Sequence, residues 1–178
     1  ESGTFEMEQI LSRLNQLSDQ QDLATQAFPT WAPEDGERLE AARGSLDAAR
    51  AEQSKAERLN EAAQDLRSAA AKARAGDDTA PIADELKSSS ERLERQARTT
   101  KDESAKDAAE ALAASANEMR GAGSDEEREA AAQAAEARAE TLETEAAAAA
   151  AAAQAARDQA EEAIQELAQE PTSAGVAA

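Results

Sequence analysis

The chain has 178 residues, a formal net charge of −19, no histidine and no cysteine. Zinc signatures, Cys–His nucleophiles and Ser–His–Asp triads are therefore excluded within it. Alanine supplies 50 residues and glutamate 26, whereas only 22 residues are larger apolar types, little material for a globular core because alanine buries a single methyl group.

Alanine has the highest helix propensity, and small side chains let helix axes approach closely. Aromatic residues are limited to Phe5, Phe28 and Trp31, and β-branched residues are scarce, so a sheet is not expected. The composition predicts an all-α protein of long helices packed along their lengths. The length allows one domain or at most two. A surface this acidic repels phosphate backbones and anionic headgroups, so neither nucleic acid nor an anionic membrane surface is an expected partner. No run reaches the apolar length of a membrane span, and Ala146–Ala153 is too short and too weakly apolar.

The first predicted helix covers residues 4–28. Met7, Ile10, Leu11, Leu14, Leu17, Ala24 and Phe28 recur at steps of three and four, Thr4 is the expected cap, and Glu6 and Glu8 sit in the positive first turn. Pro29 and Pro33 flank Trp31 and break it. The second helix runs from about Pro33 to Arg74, with acids in its first turn and Gly76 as its C-terminal cap. Its seam is Leu39, Ala42, Leu46, Ala49, Ala56, Leu59, Ala63, Leu66, Ala70 and Ala73, with a phase slip near Gln53.

The third predicted helix starts after Asp78 or Thr79 and runs to about Arg120, its inner face marked by Ile82, Leu86, Leu93, Ala97, Ala105, Ala108, Leu112 and Met119. Its middle, Gln96–Ser104, has no large apolar residue and is expected to be the loosest level of the bundle. Gly121 and Gly123 bracket a turn into the last helix, 124–170. There Ser124 and Glu127 form a capping box. The seam runs Ala132, Ala135, Ala139, Leu142, Ala146, Ala149, Ala153, Ala156, Ala160, Ala163, Leu167, and Pro171 stops the helix. This helix carries thirteen acids against three bases, about half the chain's excess charge.

Short connections force antiparallel neighbours. The expected architecture is therefore one elongated antiparallel bundle over residues 1–170, roughly 60–70 Å long from the rise per residue. It contains three long helices and one shorter N-terminal helix, with a disordered tail at 171–178.

Chemistry-bearing motifs are few. There is no glycine-rich phosphate loop and no EF-hand spacing, and alanine-packed helices offer few pockets for a carboxylate pair. Neither an enzyme, a cofactor nor a metal is expected. Trp31 has two readings: a partner-contact anchor, as exposed tryptophans often are, or a plug closing one end of the bundle beside Phe28. Asp77 and Asp78 read as helix caps or as half of a cation site. Ser88, Ser89 and Ser90 read as a solvated face or as modification sites. No Asn-x-Ser/Thr sequon occurs, and Thr172 and Ser173 beside Pro171 are candidate O-glycosylation positions.

The Glu/Ala helix at 124–170, the alanine-rich seams of 34–75 and 80–120 and the tail PTSAGVAA together resemble the glutamic acid/alanine-rich surface proteins of African trypanosomes, in particular that of Trypanosoma congolense. The resemblance lies in composition and layout. It implies an elongated helical bundle at the cell surface, held by a C-terminal glycosylphosphatidylinositol anchor and serving as an abundant coat antigen of the insect stage. Its partners would be neighbouring surface molecules or host and vector factors, and its membrane association would run only through the lipid anchor. The family's pattern also includes a signal peptide ahead of the mature start and a hydrophobic anchor-addition tail, both of which a processed form is expected to have lost. The seams equally fit an intracellular coiled-coil scaffold, and the repeat in SDEEREAAAQAAEARAE fits a designed bundle, against which QARTTKDES and FPTWAP speak.

Overall fold

The computed structural model describes the backbone of residues 2–27 and 33–176 and the side chains of residues 6–19 and 35–168. The described residues form five α-helices and no strand: α1 (Ser2–Ala27), α2 (Pro33–Arg74), α3 (Thr79–Thr100), α4 (Glu103–Gly121) and α5 (Asp125–Val176). The protein is all-α, as composition predicts. Its helices gather into two compact units, residues 53–150 and residues 1–52 with 151–178.

The ends of the helices follow local chemistry. Pro33 opens α2, where a missing N–H costs nothing. The end of α2 is a Schellman motif: Gly76 at φ 87 donates to the Ala73 carbonyl at 3.2 Å, and Asp77 donates to the Lys72 carbonyl at 3.1 Å. Asp78 caps α3 by accepting from the Ala80 N–H at 3.3 Å. Ser124 accepts from the Glu127 N–H at 3.2 Å, and the Glu127 carboxylate returns a bond to the N–H of Gly123, one residue before the expected one.

The expected third long helix is two helices. Thr100 ends α3, Lys101 takes the left-handed conformation at φ 53 and ψ 36, and Asp102 caps α4. The physical reason is that Gln96–Ser104 has nothing large to bury, while Asp102 supplies a strong cap. Its Oδ1 accepts from the Ser104 N–H at 3.0 Å and from the Ser104 hydroxyl at 2.6 Å. The stretch expected to be a loose level of a long helix is the turn of a helical hairpin.

Within residues 53–150 the hairpin completes a four-helix bundle. Lys72 pairs with Glu85 at 2.8 Å and Arg92 with Glu61 at 2.7 Å, so α2 and α3 run antiparallel. Ser90 meets Ala109 and Arg120 meets Asp84, so α3 and α4 do too. Arg138 joins α5 to Glu118 of α4 at 2.7 Å, and Arg67 joins α2 to Glu143 of α5 at 2.6 Å, closing the ring. One core runs through the middle, with Leu59 and Leu66 of α2, Leu86 and Leu93 of α3, Leu112 and Met119 of α4, and Leu142 among the alanines of α5.

In the other unit Met7, Ile10 and Leu14 of α1 pack with Ala42, Leu46 and Ala49 of α2 and Ile164 of α5. Ser18 accepts from Arg43 at 2.8 Å, and Glu6 and Arg13 lie 3.9 Å from Arg157 and Glu161 respectively, so α1 runs parallel to this part of α5.

Every seam position named for α2 is buried. On α5 the seam is buried from Ala132 to Ala153 and at Ala160 and Leu167, but Ile164 rather than Ala163 takes the inner position near the end. A straight helix has 3.6 residues per turn, so a strict 3.5-residue count drifts off the packed face over several heptads. Ala149 and Ala153 are 3 % and 1 % exposed. Ala149→Leu and Ala153→Leu should each overpack their unit and lower the unfolding free energy by about 1–3 kcal/mol in urea titrations; an unchanged midpoint in both would mean this face is not inside. Pro171 does not end α5, which continues to Val176 through the segment expected to be a disordered tail. The proline removes one backbone donor, that for the Leu167 carbonyl, from a helix of 52 residues.

Candidate functional site

The most organised polar surface lies along α2 and α5 within residues 53–150. Glu129, Glu136 and Glu143 recur every seven residues on α5, as do Arg67 and Arg74 on α2. Arg67 grips Glu143 with two bonds of 2.6 and 2.8 Å. Arg74 bridges both Glu129, at 3.1 Å, and Glu136. Such fork-to-carboxylate pairs fix register as well as adding attraction. Hydrogen bonding from Arg74 holds the Glu129 and Glu136 carboxyls below their ordinary range, and hydrogen bonding from Arg67 does the same for Glu143. All these groups face solvent, where such pairs contribute little to stability individually. The ladder sets alignment more than it sets strength.

Three hydroxyl residues are buried in the same bundle: Thr79 at the start of α3, Ser90 and Ser115. Ser115 is fully buried on α4 and accepts from Arg138 at 2.9 Å, while Arg138 also forks onto Glu118. Ser90, expected on a solvated face, is buried and donates to the Ala109 carbonyl at 2.7 Å. The reason is positional: Ser90 falls four residues after Leu86 and three before Leu93, and Ser115 falls three after Leu112 and four before Met119. That placement on the apolar stripes was the available signal. Ser88 is exposed and Ser89 half-buried.

At the α3–α4 turn, Arg58 of α2 donates to Asp102 Oδ2 at 2.7 Å, with the two side chains only 21 % and 18 % exposed. Burial pushes the Asp102 carboxyl up, but the bonds from Ser104 and Arg58 outweigh it and hold the group below its ordinary value.

The residues singled out from sequence do not converge. Trp31 lies outside the described residues. Asp78 serves as a cap, and among the described residues no group of three acids is placed to hold a metal ion. A cleft of about 540 Å³ lies between α1 and α5 and is lined by Glu6, Arg13, Arg157, Asp158 and Glu161, charges of both signs. None of the described helices is long and apolar enough to cross a membrane.

Nineteen excess negative charges make self-repulsion the dominant long-range effect. Raising sodium chloride from about 10 mM to about 150 mM shortens the screening length from about 30 to about 8 Å. The melting temperature should therefore rise; a fall would mean that the attractive ladder outweighs the net charge. No protein family, curated protein or solved structure matches this chain at a significant level.

Proposed function

We propose that this chain is a non-enzymatic coat protein of a cell surface, held there by a C-terminal lipid anchor as the resemblance to the trypanosome glutamic acid/alanine-rich proteins implies. In this reading it acts by occupying space and presenting negative charge. The observation that carries it is the division of labour across each helix: alanine and leucine seams turned inward, and carboxylates turned out. Copies of such a molecule repel one another at range, which disfavours aggregation when they stand at high density. The small inward side chains let helices pack closely, so the surface is built with little apolar exposure.

A second reading, an intracellular scaffold, is favoured by one observation. The ion-pair ladder repeats every seven residues, as in coiled coils that choose partner helices by charge. The two are separated by antibodies against the folded chain, applied to intact and to permeabilised cells that express the natural gene. Staining of intact cells, released by a phosphatidylinositol-specific phospholipase, is the result expected of a lipid-anchored coat. Staining only after permeabilisation would sink that reading and favour the scaffold.

A further inference from the structure

The α3–α4 turn has the makings of a hinge. It consists of two residues, Lys101 and Asp102, between helices of 22 and 19 residues. Lys101 is the only non-glycine among the described residues with a positive φ, a conformation that side chains with a Cβ adopt at a cost. No glycine or proline occurs from Ile82 to Arg120, so nothing in the covalent chain prevents the two helices from becoming one. Along a continuous helix, Ala97, Lys101 and Ala105 would follow at steps of four, joining the buried stripe of α3 to that of α4. Thr99 and Thr100 already bond back to the carbonyls of Arg95 and Gln96, keeping helical geometry up to the last residue before the turn.

We propose that this turn is a domain-exchange hinge, through which two copies of the chain straighten α3 and α4 into one helix and give each other α4 and α5. The partner is a second copy because only an identical chain rebuilds every contact of the core. Leu112 and Met119 of one copy would fill the site beside Leu66 and Leu86 of the other, and Arg138 would keep its bonds to Ser115 and Glu118. The exchange changes only the turn. It relieves the left-handed Lys101, and it breaks the Asp102 cap and the Arg58–Asp102 pair that hold the hairpin shut. Short hinges that hold strain are the known route to such exchange. Closed monomer therefore dominates in dilute solution and exchanged dimer grows with concentration. This inference does not rest on the proposed function and holds for a coat protein or a scaffold alike.

The test uses the absence of native cysteine. Arg120 and Asp84 form a 2.6 Å ion pair between α4 and α3 on the exposed surface. The Asp84→Cys/Arg120→Cys variant, treated with a short bifunctional thiol reagent, links α3 to α4 within one chain in the hairpin. The same link joins two chains in the exchanged dimer, giving a covalent dimer on a denaturing gel. It is made with the native hinge, with Lys101→Gly, which accepts a positive φ and weakens a continuous helix, and with Lys101→Ala/Asp102→Ala, which removes the cap and favours one. Each is held at high concentration, diluted and cross-linked. With the native hinge, covalent dimer is expected to increase with concentration. Lys101→Gly should suppress it, and the double alanine hinge, which removes the Asp102 cap from the hairpin alone, should lower the dimer dissociation constant by at least about a hundredfold, at least about tenfold for each hinge. Links that stay within one chain in the native and the alanine hinges, with or without a dimer in solution, would overturn the proposal. If the alanine hinge does not fold, the comparison of native and glycine hinges decides alone: equal covalent dimer in both, or none in either, rejects exchange at this turn.

Discussion

Truncating Leu112 to alanine should lower the unfolding free energy by about 2–5 kcal/mol, toward the upper part of that range. Leu112 is wholly buried on α4 and belongs to the core shared by α2, α3, α4 and α5. Most members of that core are alanines, and only Leu59, Leu66, Ile82, Leu86, Leu93, Leu112, Met119 and Leu142 are larger. A core with so few large side chains has little to move into a new void, and the alanine contacts already bring the backbones close. The cavity left by Leu112→Ala therefore stays open, adding its cost to the lost transfer term. Leu112→Met, which keeps the volume, should cost less than about 1.5 kcal/mol. Urea titrations with an unchanged slope measure both. A loss below about 1 kcal/mol for the alanine variant would show that α4 is not seated in this core.

Replacing Asp102 by alanine should cost about 2–3 kcal/mol, the sum of a lost helix cap and a guanidinium left without its partner in a largely buried place. Arg58→Met should be milder, because Asp102 keeps both bonds from Ser104. The same group links stability to acidity. The folded-state pKa of Asp102 lies below its ordinary value of 3.8, and that of Glu118, hydrogen-bonded to Arg138, below 4.5. A lowered carboxyl stabilises the fold fully above its ordinary value and loses that contribution as pH falls through the folded one. Melting temperature should therefore hold down to the ordinary carboxyl range and drop below it. In Asp102→Ala the drop should be shallower, since one of the groups responsible is gone. An equally steep acid limb in that variant would remove Asp102 from the account.

Much of this fold is legible in the residues. Pro33, Gly76, Asp78 and Ser124 mark helix ends because each satisfies or omits a backbone bond that the helix end leaves open. The seam of α2, and that of α5 as far as Ala153, are legible because a 3.5-residue rhythm of Ala and Leu marks a packed helix face. The α3–α4 turn is not, because its signal is absence rather than punctuation. The left-handed residue is a lysine, where glycine would announce a turn, and the cap is one aspartate among many acids. What decides the matter is tertiary: α4 folded back covers the open side of α2, α3 and α5, and Arg58 ties the turn down. The ladder of Arg67 and Arg74 on Glu129, Glu136 and Glu143 was open to a reader who counted charges by sevens across two helices. The inward serines were open to one who placed them on the stripes.

The hairpin is the central claim, and a distance measurement tests it most directly. Spin labels on the Asp84→Cys/Arg120→Cys variant, in dilute solution and mixed with excess unlabelled protein, report the separation of these positions within one chain. Adjacent helix axes lie about 10 Å apart, so with label arms the hairpin predicts a narrow distribution at about 10–20 Å. One continuous helix from Thr79 to Gly121 would place the same positions about 54 Å apart by its rise per residue, and a distribution centred there would contradict the fold described.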